Sequence, residues 1–175
     1  DGRALGAALR VQRDGSRVSG NVQAEVSRVH RRYPGRFGGR FVPAPWETPL
    51  QLSTDLDVKI LSGVHALASW QGQWNRPWAL RRAYYDYVAL TGGVDGVDLD
   101  RPSEQRLAPF SRVDLGLRAE TTVRGVTLET RASVVNVFDR ANPFDWSLDT
   151  SGPTPQPSPR TLPGRRFHLQ VGVRL

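Results

Sequence analysis

The chain has 175 residues, 38% of them hydrophobic, no cysteine or methionine, and a formal net charge of +7 with a pI near 10.9. That length can hold one ordinary domain, but the composition excludes a disulfide framework and a thiolate metal site. A mean hydropathy of -0.44 and the lack of any long apolar run exclude a transmembrane helix, though not a membrane barrel, whose alternating strands dilute the hydropathy signal.

The opening Asp1-Gly2 leads at once into an expected strand from about Ala4 to Gln12, with Leu5, Ala7, Leu9 and Val11 on one face. With no methionine and no signal peptide in view, the chain is expected to start after processing or inside a longer protein. Arg13-Asp14-Gly15-Ser16 is a tight turn carrying the Asp-Gly pair that hairpins prefer. The second strand starts near Val18 and sets Val18, Gly20, Val22, Ala24 and Val26 against Ser19, Asn21, Gln23, Glu25 and Ser27. A long Gly-, Pro- and Arg-rich stretch, 33–49, follows. In the third strand Leu50, Leu52, Thr54, Leu56, Val58 and Ile60 oppose Gln51, Ser53, Asp55, Asp57 and Lys59. After the turn Leu61-Ser62-Gly63, the fourth strand alternates Val64, Ala66, Ala68, Trp70, Gly72 and Trp74 with His65, Leu67, Ser69, Gln71 and Gln73. It is expected to continue past Pro77 towards Val88, before a second long loop, 90–111.

The fifth strand places Val113, Leu115, Leu117 and Ala119 opposite Arg112, Asp114, Gly116, Arg118 and Glu120. Arg124-Gly125 turns the chain into a sixth strand, where Val126, Leu128, Thr130, Ala132 and Val134 alternate with Thr127, Glu129, Arg131 and Ser133. Alternation slips over Val135–Arg140, which predicts a bulge. A proline-studded loop, 141–164, precedes the last strand. There Phe167, Leu169, Val171, Val173 and Leu175 share one face, and His168, Gln170, Gly172 and Arg174 the other.

Connections therefore alternate short and long, and full charges keep to one face of each strand. The pattern predicts an all-β, antiparallel up-and-down transmembrane β-barrel segment of about seven strands, with long external loops at 33–49, 90–111 and 141–164. Soluble sandwiches seldom sort their connections by length in this way. Trp46, Trp70, Trp74 and Trp78, near the long-loop ends of strands, fit an interfacial aromatic belt, although aromatics also pack at loop bases. Basic residues are scattered among acidic ones, and Lys59 is the lone lysine, so no nucleic-acid partner is expected. Outer-membrane lipid is the expected environment.

Two stretches resemble the carboxyl end of the TonB-dependent outer-membrane receptors. Ala132-Ser133-Val134-Val135-Asn136-Val137-Phe138-Asp139-Arg140-Ala141-Asn142-Pro143 is similar to that family's penultimate strand, an apolar run followed by Asn, an apolar residue, Phe, Asp and a basic residue. Leu162-Pro163-Gly164-Arg165-Arg166-Phe167 is similar to the start of its final strand, in the right order and spacing. Leu175 stands where the family commonly ends in Phe or Trp. The rest of the chain matches in pattern alone. The resemblance implies that residues 1–175 are the carboxyl-terminal portion of a 22-stranded barrel in the bacterial outer membrane, around a plug domain absent here. Energy would come from the TonB complex through the plug, for uptake of a bulky scarce nutrient of the siderophore, cobalamin or oligosaccharide class. The row Phe167, Leu169, Val171, Val173 and Leu175 is the expected signal for the outer-membrane insertion machinery.

No catalytic group, metal site or cofactor is assigned. His30, His65 and His168 lack metal-ligand spacing. A barrel enzyme of the phospholipase or protease type, or a non-transporting adhesin or structural barrel, are the alternatives; a Ser-His hydrolase would need nucleophile and base at matched heights. The better binding candidates combine arginine and aromatic residues on expected external loops: Arg36, Phe37 and Arg40 in the first, and Arg81, Arg82, Tyr84, Tyr85 and Tyr87 before the second. They could stack on and bond an anionic ligand, grip lipopolysaccharide phosphates, or simply hold the loops.

Overall fold

Residues 1–32, 39–44, 46–77, 106–149, 151–152 and 156–174 are described by the computed structural model. Their strands are β1 (Gly2–Arg13), β2 (Val18–Arg32), β3 (Phe41–Pro43), β4 (Leu50–Leu61), β5 (Val64–Trp74), β6 (Phe110–Val123), β7 (Val126–Val135), β8 (Pro143–Asp149), β9 (Gln156–Thr161) and β10 (Arg166–Arg174). No α-helix occurs among the described residues. The main sheet runs β1-β2-β4-β5-β6-β7-β10, with β3 appended to β2, and β8-β9 form a separate ribbon. Every pairing is antiparallel. Seven successive long strands thus lie side by side in chain order, and β1 and β10 each leave an edge without a partner among the described residues.

The short turns follow from their residues. Arg124 and Gly125 take φ of 51° and 83°, the paired positive values of the two-residue hairpin that matches strand twist. Gly63, at φ 72°, sits where its carbonyl accepts the Glu120 N–H at 2.7 Å, and a Cβ there would collide with the Glu120 backbone. The register between β4 and β5 shifts between Lys59 and Leu61, so the bulge of this sheet lies beside that turn.

Exposure is inverted in the middle of β6. Along β6, Leu115, Leu117 and Ala119 are exposed while Gly116 and Arg118 between them are half-buried. Leu5 is 79% exposed, Leu117 53% and Leu169 74%, all on the face that alternation assigned to apolar residues. The polar face is the concave one: Arg10 and Gln12 of β1 line the same cleft as Arg131 and Ser133 of β7. The buried hydrophobic residues, Val42, Ala44, Leu107 and Phe110, lie at the long-loop end instead of between layers.

Four expectations change. The long stretch 33–49 contains β3, whose Phe41, Val42 and Pro43 pair with Arg32, Arg31 and His30. The loop 141–164 contains the β8-β9 ribbon, although its prolines argue against a regular ladder. Pro157 and Pro159 pair with Leu148 and Trp146 at the same parity, so both missing N–H groups can face the open side of a two-stranded ribbon. No bulge forms at 135–140: β7 ends at Val135, and Asn136 and Asp139 turn the chain with φ of 57° and 53°. The second long loop gives up its last residues, since β6 begins at Phe110. The proposed continuation of the fourth strand lies outside the described residues beyond Pro77, which forms an isolated bridge with Arg106.

If the apolar face meets lipid, Leu117→Arg near the middle of β6 should cost about 2–4 kcal/mol, whereas Glu129→Gln on the concave face should change little. Folding titrations of the full-length protein in liposomes measure both, and equal cost would reverse the orientation.

Candidate functional site

The concave face forms a cleft of about 440 Å³ whose wall is built by register. Pairing sets Asp57 opposite Leu67 and Lys59 opposite His65, which brings His65 Nδ1 to 2.5 Å from Asp57 Oδ1. Arg118 donates to the other oxygen of Asp57 at 3.1 Å. Nearby, Asn21 donates to Asp55 at 3.2 Å, and Arg112 pairs with Asp114 at 3.1 Å. Arg118 stands directly opposite Arg131, and Glu120 opposite Glu129. Like charges face to face weaken a strand pair, so this wall relies on water, on diagonal opposite charges and on Asp57 for compensation. Its chemistry is that of a hydrated surface of mixed sign. No group of metal-ligating residues occurs among the described residues.

The long-loop end is held by buried polar side chains acting as backbone partners. Asn142 Oδ1 accepts the Ser111 N–H at 2.9 Å while its Nδ2 donates to the Ser111 carbonyl at 2.9 Å, as a neighbouring strand would. Asn136 closes a turn on itself: Nδ2 donates to the Arg140 carbonyl at 3.0 Å and Oδ1 accepts the Arg140 N–H at 3.1 Å. Its own N–H reaches Asp114 Oδ1 at 2.8 Å. Asp139 Oδ1 accepts the Arg165 N–H at 2.6 Å, and a Cβ on Gly164 would strike that same carboxylate. Within the stretch that resembles a receptor's penultimate strand, Asn136, Asp139 and Asn142 therefore join β7, β6 and the start of β10. Phe138 projects outward, 75% exposed.

Two further groups complete this cap. Glu47 is buried, and its Oε1 accepts the Val29 N–H at 2.9 Å, fixing the chain after β3 against β2. Arg76 donates to the Pro143 carbonyl at 2.6 Å and lies over the Phe110 ring at 5.7 Å. Burial pushes its guanidinium pKa down from the usual value. In the β8-β9 ribbon, the hydroxyl and N–H of Ser151 donate to Asp149 and hold its carboxyl below the usual carboxylate range.

Of the residues singled out in sequence, Trp70 and Trp74 come together. Their ring centroids are 6.1 Å apart, both rings fold over Gly72, and the Trp70 indole N–H donates to Ser111 Oγ at 3.1 Å. Both lie on the apolar face at its long-loop end. Trp46 is elsewhere, with the Arg31 guanidinium 5.0 Å from its ring centre. Phe167, Leu169, Val171 and Val173 line one face of β10, all exposed. Arg40 adjoins β3. Arg36, Phe37, Trp78, Arg81, Arg82, Tyr84, Tyr85, Tyr87 and Leu175 lie outside the described residues. His30 and His168 sit in β2 and β10, far from His65 in the register.

Sequence reasoning overlooked Glu47 and Arg76, for which no pattern gives a signal. Asn142 had one, the Asn-Pro dipeptide that marks a turn. Arg28, His30 and Arg32 had another: they continue the parity of Val22, Ala24 and Val26, so a longer β2 puts basic groups on the apolar face. Comparison of the chain with protein-family models, with curated proteins and with solved structures finds no match.

Replacing Asn142 with Leu removes the side-chain partner of both backbone polar groups of Ser111 and should cost roughly 2–4 kcal/mol. Asn142→Asp retains the acceptor and should lose less. Denaturant unfolding of the refolded protein ranks the two, and equal loss would remove the amide from its place in the ladder.

Proposed function

We propose that this chain forms part of the wall of an outer-membrane β-barrel and, on the strength of its two carboxyl-terminal motifs, of a TonB-dependent transporter. The two faces of the sheet carry the first part. Seven antiparallel strands carry exposed apolar residues such as Leu5, Leu117 and Leu169 on one face and keep their charges on the concave face, where Asp57, Asp114 and Arg118 are half-buried, a distribution that suits lipid outside and water inside. In lipid the same arrangement is favourable on both sides. The open edges of β1 and β10 then pair with further strands of the same barrel, since unpaired backbone groups are not tolerated in hydrocarbon.

The second part rests on Asn136-Val137-Phe138-Asp139-Arg140 and Pro163-Gly164-Arg165-Arg166-Phe167. The contact of Asp139 with Arg165 gives those motifs a joint physical role, since one ends the penultimate strand and the other starts the last. In this reading the mixed-charge concave wall faces a plug and water, and the transported molecule is a bulky scarce nutrient such as a siderophore, cobalamin or oligosaccharide. The TonB complex, the plug and the insertion machinery are its partners.

A tag inserted after Gly152, at the tip between β8 and β9, should be labelled on intact cells, and one after Gly15 should not. Labelling of the Gly15 tag alone would reverse the topology, and labelling of neither with the protein in the soluble fraction would end the barrel reading. The transporter reading requires a domain-sized plug and a TonB box encoded upstream, and fails without them.

A further inference from the structure

The apolar face is not apolar throughout. At the long-loop end of β1 and β2 it changes within one residue pair from aliphatic to basic. Leu5 and Ala7 of β1 pair with Arg28 and Val26 of β2, and in the next row Arg3 pairs with His30. Arg32 follows, opposite Phe41 of β3. All four basic groups share the parity of the exposed row Leu9, Val22 and Val26.

Among the described residues, Arg32 is the one of these four with an acidic partner, Asp1. Arg3 lies over the Phe41 ring at 4.4 Å, with Arg32 over the same ring at 5.5 Å. No ion pair of Arg3, and no hydrogen bond or ion pair of Arg28, is present among the described residues. Arg28 and Arg3 are diagonal neighbours, whose side chains can converge across roughly 7–8 Å. In the rows nearer the middle of the sheet, level by register with Val26, Ala24 and Val22, the face carries Trp74, Ser111 and Trp70 instead of basic groups.

We propose that Arg3, Arg28 and His30, backed by Phe41, bind the phosphate head of a glycolipid in the outer leaflet while its acyl chains lie along Leu5, Ala7, Leu9 and Val26. The proposal rests on the barrel reading, because it needs this face in lipid and this end outside. Charge complementarity selects the ligand. A guanidinium pair immediately above an aliphatic row fits an anion attached to hydrocarbon, and phosphate accepts from two arginines at once. The Phe41 ring, 4.4 Å from the Arg3 guanidinium carbon, supports that group at the boundary. A free phosphate would gain nothing from the aliphatic row, and a neutral lipid nothing from the arginines.

The test uses the full-length protein extracted from outer membranes and reconstituted in vesicles containing either a bis-phosphorylated glycolipid or its dephosphorylated form. Retained glycolipid is read by native mass spectrometry. The wild type should retain the phosphorylated form preferentially, and Arg3→Ala/Arg28→Ala should lower that retention about tenfold or more, as expected on losing two charge-assisted bonds. Arg10→Ala/Arg131→Ala, on the concave face, should leave it unchanged. Strand circular dichroism and heat-modifiable gel migration establish that each variant is folded. Unchanged retention in folded Arg3→Ala/Arg28→Ala, or equal retention of both glycolipids by the wild type, overturns the site and leaves the barrel reading standing. Failure of the wild type to enter membranes overturns both.

Discussion

Among the described residues, no second layer of protein covers one face of this sheet, so the strands are held by their backbone ladders and by what the concave face and the loop base supply. A soluble sheet can lose a hydrogen bond to water or lean on a hydrophobic layer. In the lipid setting proposed above, a sheet with Leu5, Leu117 and Leu169 pointing away from the protein does neither, and every strand must be paired on both edges. Register then becomes the main determinant of structure, because a slip of one residue would carry Asp57 or Glu129 onto the outer face. The tight turns fix that register: Arg124-Gly125 between β6 and β7, and Ser62-Gly63 with its adjacent bulge between β4 and β5.

The two ends of the strands are built differently for the same reason. At the short-turn end, positive φ in one or two residues suffices between β4 and β5 and between β6 and β7. At the other end long connections must be anchored, and beside the small apolar cluster of Val42, Ala44, Leu107 and Phe110 side-chain amides and carboxylates replace strand neighbours. Asn142 copies a ladder pair at Ser111, Asn136 closes its own turn with Arg140, and Glu47 takes the Val29 N–H. Such groups are more demanding than a hydrophobic plug, since each buried polar atom left without its partner carries a cost comparable to the bond it made. They also specify one arrangement. Asp139 reaches Arg165 only if β10 starts beside the end of β7, so the turn that ends one strand positions the next.

The long strands were legible because alternation needs only residue type at period two, and β4, Leu50–Leu61, shows it without a break until its bulge. The short pieces were not. Phe41–Pro43 is too short to show a period, and although Phe144, Trp146 and Leu148 alternate with Asp145, Ser147 and Asp149 in β8, the prolines of the ribbon speak against strands unless its unpaired side is known in advance. Periodicity also could not say whether the slip after Val135 was an inserted residue or an ending; a positive φ at Asn136 decided it. At the loop base, resemblance drew attention to Asn136 and Asp139, but their partners Arg140, Asp114 and Arg165 emerge only when β6, β7 and β10 are side by side. Binding candidates such as Tyr84 and Arg81 depend on loop conformation, which residue type alone does not encode.

The height of the apolar face can be set against a bilayer without appeal to family. On β1 the outward residues between Arg3 and Arg13 are Leu5, Ala7, Leu9 and Val11, and the ten steps from one arginine to the other lie within a single strand. At about 3.4 Å per step they span about 34 Å along the strand. A strand tilted by about 40° turns that into a height near 26 Å, against an apolar band of about 25 Å in outer-membrane barrels. Both arginines then fall at the boundaries, where a guanidinium can reach head groups while its stem remains in hydrocarbon. The boundaries are unequal, however. Arg13 is the single outward basic residue at the short-turn end of β1, whereas Arg3 is joined by Arg28, His30 and Arg32 from β2. Closing a sheet in a bilayer asks only for an apolar band of the right height; it does not ask for three further basic groups at one corner. That excess is what lipid thickness alone leaves unexplained, and an anionic head group at that corner supplies its counter-charge.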